Sequence, residues 1–142
     1  MKPIPDDTTQ IVRQGVENAA KDFSARIEPF GFKRTKKMLW TRGRQHTADF
    51  ITLFRQGSSY GRPRNYSVSL DVGFGIRVLN DVLESLSPNG PRYDVSERLR
   101  AAHYHFRFNA RTGSTYDRCI DDLERYVDQY GEPWFTRFRD TT

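Results

Sequence analysis

Over residues 65–77 apolar and polar positions alternate without a break. Tyr66, Val68, Leu70, Val72, Phe74 and Ile76 hold one parity, and Asn65, Ser67, Ser69, Asp71, Gly73, Gly75 and Arg77 hold the other. Successive side chains of a strand point to opposite faces, so the pattern predicts a strand with one face in a core. Such a strand needs neighbours for its backbone groups and a second layer for its apolar side. Gly73 and Gly75, on the polar parity, leave room for a bulge or for another element packed across the sheet.

Two stretches have helical spacing instead. Val12, Val16, Ala20, Phe23 and Ile27, thickened by Ala19, predict a first helix of about five turns. Asp6, Asp7, Thr8 and Thr9 offer caps at its start, and Pro29 with Gly31 stops it. Near the other end, Tyr116, Cys119, Ile120, Leu123, Tyr126, Val127 and Tyr130 form one apolar stripe. Ser114 or Thr115 is the expected cap, with Asp117 completing a capping box. Gly131 and Pro133 are expected to end this helix, and Trp134, Phe135 and Phe138 to fold back onto the core.

The remaining pattern is shorter. Residues 38–42 read as a strand with Met38 and Trp40 on one side, followed by a turn at Gly43 and Arg44. Residues 47–56 read as a second strand, apolar on both parities and therefore covered on both sides. A Gly-, Ser- and Pro-rich loop links it to the strand at 65–77. Residues 78–86 predict a short helix, 87–91 a break, and Val95 with Leu99 one or two further helical turns. Residues 101–108 predict a fourth strand, Tyr104, Phe106 and Phe108 facing one way and His103, His105 and Arg107 the other. The whole reads as a single α+β domain over 1–142 with a loose tail at 1–7. Its four-stranded, mainly antiparallel sheet is packed on one face by the first and last helices.

Length and composition fit that reading. A chain of 142 residues with ten Phe, seven Tyr and two Trp can bury one core without staples. Cys119 is the only cysteine, which excludes an internal disulfide framework. No apolar run is long enough to span a bilayer, and the first residues lack the apolar core of a signal peptide. A cytoplasmic protein without a membrane partner is the expectation.

Charge changes the picture more. Of the formal +5, residues 31–79 carry ten Lys or Arg against Asp49 and Asp71, a net of +8. Lys33, Arg34, Lys36, Lys37, Arg42 and Arg44 surround Trp40, and Arg62 and Arg64 extend the group. A positive surface of this kind suits an acidic protein partner. The alternative is a nonspecific nucleic-acid surface, with the cations on phosphates and Trp40 as a stacking platform.

Chemistry is thinner. His103 and His105, two apart on a strand, aim both imidazoles to one side. A metal-dependent hydrolase would need a third ligand, for which His46, Asp49 and Cys119 are the candidates. Cys119 as a nucleophile would need a base beside it, whereas its place in the helical stripe marks a buried small side chain. The acidic residues of the last helix read as a solvated face. No nucleophile, base and orienting group fall together and no cofactor loop is present, so a binding or accessory role without cofactor is expected.

The order of features resembles the DUF4304 family, small bacterial domains of uncharacterised function. Pro29, Phe30, Gly31, Phe32, Lys33 and Arg34, then Trp40 and Arg42, match its Pro-x-Gly-Phe-Lys-Lys segment with a following aromatic and Arg. Residues 50–56 with Ser58, then 65–73, and finally Trp134 with Phe135 follow in the family's order. The second strand lacks the family's asparagine and the loop its tryptophan. The resemblance spans about residues 12–138. It implies an α+β fold with an antiparallel sheet and brings no activity or catalytic residues.

Overall fold

The structure is a computed structural model and describes residues 7–44, 47–55, 65–78 and 104–139. Val78, expected to open a helix at 78–86, instead ends a strand; the rest of that helix, the turns around Val95 and the start of the strand expected at 101–108 lie outside the described residues.

Helix α1 (Asp7–Ile27) buries Val12, Gly15, Ala19, Ala20, Phe23 and Ile27, the stripe that its spacing predicts. A 3-10 turn (Glu28–Phe30) containing Pro29 ends it. Gly31 then adopts φ 98°, and its N–H closes on Glu28 O at 2.8 Å. Only a residue without a Cβ takes that conformation freely, so the chain reverses here at little cost.

Five strands follow in one antiparallel sheet whose spatial order is the chain order. They are β1 (Lys33–Lys36), β2 (Leu39–Gly43), β3 (Thr47–Arg55), β4 (Ser67–Val78) and β5 (Arg107–Asn109). The sequence count of four is thus corrected to five. The missed strand, β1, is Lys-Arg-Thr-Lys and carries no apolar alternation. Its ladder with β2 makes it a strand, and its own side chains do not announce it.

The long β3–β4 ladder runs unbroken from Thr47↔Val78 to Arg55↔Leu70. Gly73 and Gly75 therefore sit in no bulge and lie opposite Thr52 and Phe50. The strand at 65–77 is confirmed, but it is less one-sided than its pattern. Asp71 on its polar parity is only 2% exposed, so the centre of β4 is covered on both faces. Ahead of β5, the chain at 104–106 runs alongside β4, with Leu70 N–H donating to Phe106 O at 2.9 Å. Tyr104, Phe106 and Phe108 are all buried, as the alternation predicts.

Helix α2 (Tyr116–Tyr126) starts without the expected cap. Thr115 has φ 62°, and its hydroxyl donates to Arg107 O at 2.8 Å instead of accepting from the helix. Nor does the helix end at Gly131. It passes through a π-helical turn (Val127–Gly131) into α3 (Glu132–Arg139). The wider turn lets Glu132 N–H bond to Val127 O, and Pro133, at the start of the next segment, has no N–H to satisfy. Trp134 and Phe135 are buried against the sheet, while the Phe138 side chain lies outside the described set.

The core lies between these helices and one face of the sheet. Trp40, Ile51, Leu53, Val68, Leu70, Val72 and Phe74 meet Phe23, Ile27, Leu123, Tyr126 and Phe135. Phe74 stacks on Tyr126 with ring centroids 5.4 Å apart and meets Phe135 edge-on at 5.5 Å. Each such fully buried side chain contributes about 1.5–3 kcal/mol.

Candidate functional site: the two faces of the basic sheet

Strand alternation divides the basic segment between the two faces of the sheet. Arg34, Trp40 and Arg42 face the helices, because Arg34 pairs with Trp40, Trp40 with Ile51 and Arg42 with Asp49. All three are engaged there. Arg34 grips Glu17 of α1 through both terminal nitrogens at 3.0 Å and donates to Lys37 O at 2.6 Å. That bond holds the Glu17 carboxyl below the ordinary glutamate range.

Arg42 is the deepest of the group, its side chain only 10% exposed. It donates to Asp49 Oδ2 at 2.8 and 2.6 Å, to the Glu132 carboxylate at 2.8 Å and to Phe30 O at 3.0 Å. Its guanidinium lies 4.3 Å from the Phe32 ring centroid. Burial alone would lower its pKa, but the bonds to Glu132 and Asp49 carry the net shift upward. Arg44 adds a third contact to Asp49 Oδ2 at 3.2 Å.

Trp40 is fully buried. Its Nε1 donates to Ser24 Oγ at 2.6 Å and its ring meets Phe23 edge-on at 4.9 Å. The expectation of Trp40 as a stacking platform is therefore corrected: it is a core residue with a satisfied indole. Arg34, Arg42 and Arg44 are likewise ion-paired within the domain. Arg62 and Arg64 lie outside the described residues.

The other chemical candidates are described only in part. His103 and His46 lie outside the described residues. His105 is half-buried, and its backbone N–H donates to Asp122 Oδ2 at 2.7 Å. Asp122 also binds Arg125 at 2.9 Å. Burial, and then the Asp122 charge, push the Cys119 thiol up to about 12, far from a thiolate at neutral pH. Among the described residues no three His, Cys, Asp or Glu side chains gather into a metal site.

The far face, turned away from α1, has a different character. Lys33 lies opposite Thr41 and Lys36 opposite Leu39, with a register shift between Arg34 and Lys36. Three residues apart in a regular strand, the two lysines would point to opposite sides. Thr35, inserted as the extra residue of a bulge, brings both to the far face. Beside them a groove of about 460 Å³ crosses β1 to β4. Leu39, Ala48, Phe50 and Gly75 give it apolar walls, and Thr35, Thr41 and Thr52 supply hydroxyls. Among the described residues its charged lining residues are Lys36 and Arg77, both cationic. The Arg77 guanidinium lies 5.6 Å from the Phe50 ring centroid.

Residues 23–137 match the family model of DUF4304, a domain of unknown function. The chain belongs to the DUF4304 family. No curated protein and no solved structure matches it. The match runs from within α1 to within α3, so the entire sheet and both faces are part of the DUF4304 domain.

Arg77 is the residue that sequence reading passed over. Its signal was present, since it shares a parity with Gly73 and Gly75. What was missing was the far face itself: only pairing with β3 and β2 carries that parity across to Thr52, Phe50, Leu39 and Lys36. A second cleft of about 300 Å³ lies between α1 and the turn after β5. It carries Lys21 and Asp22, of opposite sign, and Asp22 already accepts the Tyr116 hydroxyl. It shows no preference for a charged ligand.

Proposed function

We propose that this DUF4304 domain is a binding or accessory module that engages an acidic protein partner through the far face of its sheet. The observation behind this reading is the distribution of charge. On the helix face the arginines have carboxylate partners: Arg34 has Glu17, Arg42 has Asp49 and Glu132, and Arg44 has Asp49. On the far face Lys33, Lys36 and Arg77 have no carboxylate partner among the described residues, and no acid among those residues lines the groove between them. Cations with no described carboxylate partner, beside the half-buried Leu39, steer an acidic surface and offer it an apolar contact.

The nucleic-acid reading is weaker on this geometry. It needs an exposed ring on which bases stack; Trp40 is buried, and Phe50 is 8% exposed beneath Arg77. Catalysis through Cys119 is disfavoured, because its thiol is buried and its pKa is pushed up to about 12.

The test is retention of partners from native extract by the immobilised domain, with and without nuclease, followed by titration of any purified partner. The triple variant Lys33→Ser, Lys36→Ser, Arg77→Ser is run beside wild type. The reading expects a saturable complex that survives nuclease and loses at least about tenfold in affinity in the triple variant. A complex dissolved by nuclease, or one untouched by the triple change, overturns it.

A further inference from the structure

We infer that the far-face groove takes one bulky apolar side chain, aromatic or leucine, from an acidic extended segment of the partner, whose flanking carboxylates pair with Lys36 and Arg77. This rests on the acidic-partner reading and names what that partner must present. Four observations carry it. The groove walls are carbon: Leu39, Ala48, Phe50 and the main chain of Gly75. Gly75 lies directly opposite Phe50, and the two line the groove side by side on β4 and β3. The volume of about 460 Å³ is within the range of pockets that enclose an anchoring group. The two charges at the rim have the same sign, so a single apolar residue with acids on either side satisfies floor and rim together. Interfaces concentrate their affinity in such a desolvated anchor ringed by polar contacts.

Addition of the segment as a sixth strand fits less well. The exposed edge strand β1 is four residues long, carries Lys33 and Lys36, and is bulged at Thr35. Shortness, lysines and bulges are the features that keep a sheet edge from accepting another strand. Recognition therefore runs through side chains on the face. The threonine hydroxyls of Thr41 and Thr52 supply hydrogen bonds to the segment's backbone as it crosses β2 and β3.

The experiment compares three probes by fluorescence anisotropy: a peptide of glutamates around one central phenylalanine, the same peptide with alanine at the centre, and a single-stranded DNA oligonucleotide. The domain is tested as wild type, as Lys36→Glu with Arg77→Glu, and as Thr41→Phe. Thr41 lies on the far face opposite Phe50, so the last change fills the groove without altering charge. The inference expects the phenylalanine peptide to bind at least about tenfold tighter than the alanine peptide. That advantage disappears in Thr41→Phe, and all peptide binding disappears in the charge-reversed variant. Thr52→Leu fills the groove from β3 and gives the same reading if Thr41→Phe does not fold. Equal binding of both peptides, still lost on charge reversal, overturns the anchor and leaves the acidic-partner reading standing. Binding of DNA in preference to both peptides, or of no probe at all, overturns both.

Discussion

Gly131 sits against the Phe74 ring so closely that a Cβ on it would lie 2.8 Å from Phe74 Cε1 and 2.9 Å from Cζ. This approach seats the π-helical turn between α2 and α3 on the sheet. Gly131→Ala is expected to destabilise the domain by about 1–3 kcal/mol through overpacking, despite alanine's better helix propensity. In a Phe74→Leu background, where the ring edge is gone, the added cost of Gly131→Ala should shrink. A double-mutant cycle by urea denaturation checks the coupling, and strict additivity would contradict it.

Arg42 ties β2 to β3 and to α3 through Asp49 and Glu132. Arg42→Met leaves the Asp49 carboxylate buried beside only Arg44, and the expected loss is about 3–5 kcal/mol. Asp49 Oδ1 has no hydrogen-bond partner among the described residues. Replacing the set together, Arg42→Met with Asp49→Leu and Glu132→Leu, should recover much of that loss. Equilibrium unfolding at neutral pH compares the two variants directly.

The Glu17–Arg34 pair gives a pH dependence. Its folded-state carboxyl titrates below the ordinary value because Arg34 hydrogen-bonds the ionised form. The pair thus contributes stability above the unfolded-state carboxyl pKa and loses it as pH falls through the lowered folded value. Both side chains are partly exposed, at 24% and 37%, so the contribution is small and salt-sensitive. In Arg34→Gln the Glu17 titration followed by carboxyl NMR should move upward; an unchanged midpoint would contradict the assignment.

Cys119 provides a probe of opening. Its thiol is fully buried and titrates near 12 instead of its ordinary 9.0, so at neutral pH a thiol-reactive disulfide reagent should label it only as fast as the domain opens. Between those two values the folded state binds more protons at this site than the unfolded state, so this group makes stability fall with rising pH. Cys119→Ala should flatten that slope. Rapid labelling of the native protein would contradict the burial.

Much of this domain was determined by its sequence alone. Period-two alternation placed β4 and the aromatics of 104–108, and helical spacing placed α1 and the buried stripe of α2. These signals are local, because burying one side of an element writes its period into the residues. The family could be read for a related reason: the order of these elements and of the residues that turn the chain, such as Pro29 and Gly31, lies along the sequence.

Tertiary structure decided the rest. The tract from Lys33 to Arg44 looks like one basic cluster in sequence, yet strand pairing sends Arg34 and Arg42 to carboxylates from α1, β3 and α3 and turns Lys33 and Lys36 the other way. Nothing local says that Thr35 is the extra residue of a bulge, or that Trp40 spends its indole on Ser24. Gly131 and Pro133 read as a stop, but the space beside Phe74 and the wider π turn carry the helix through them. In each case the deciding partner is distant in sequence, so the outcome depends on which surfaces meet and not on the residues' own preferences.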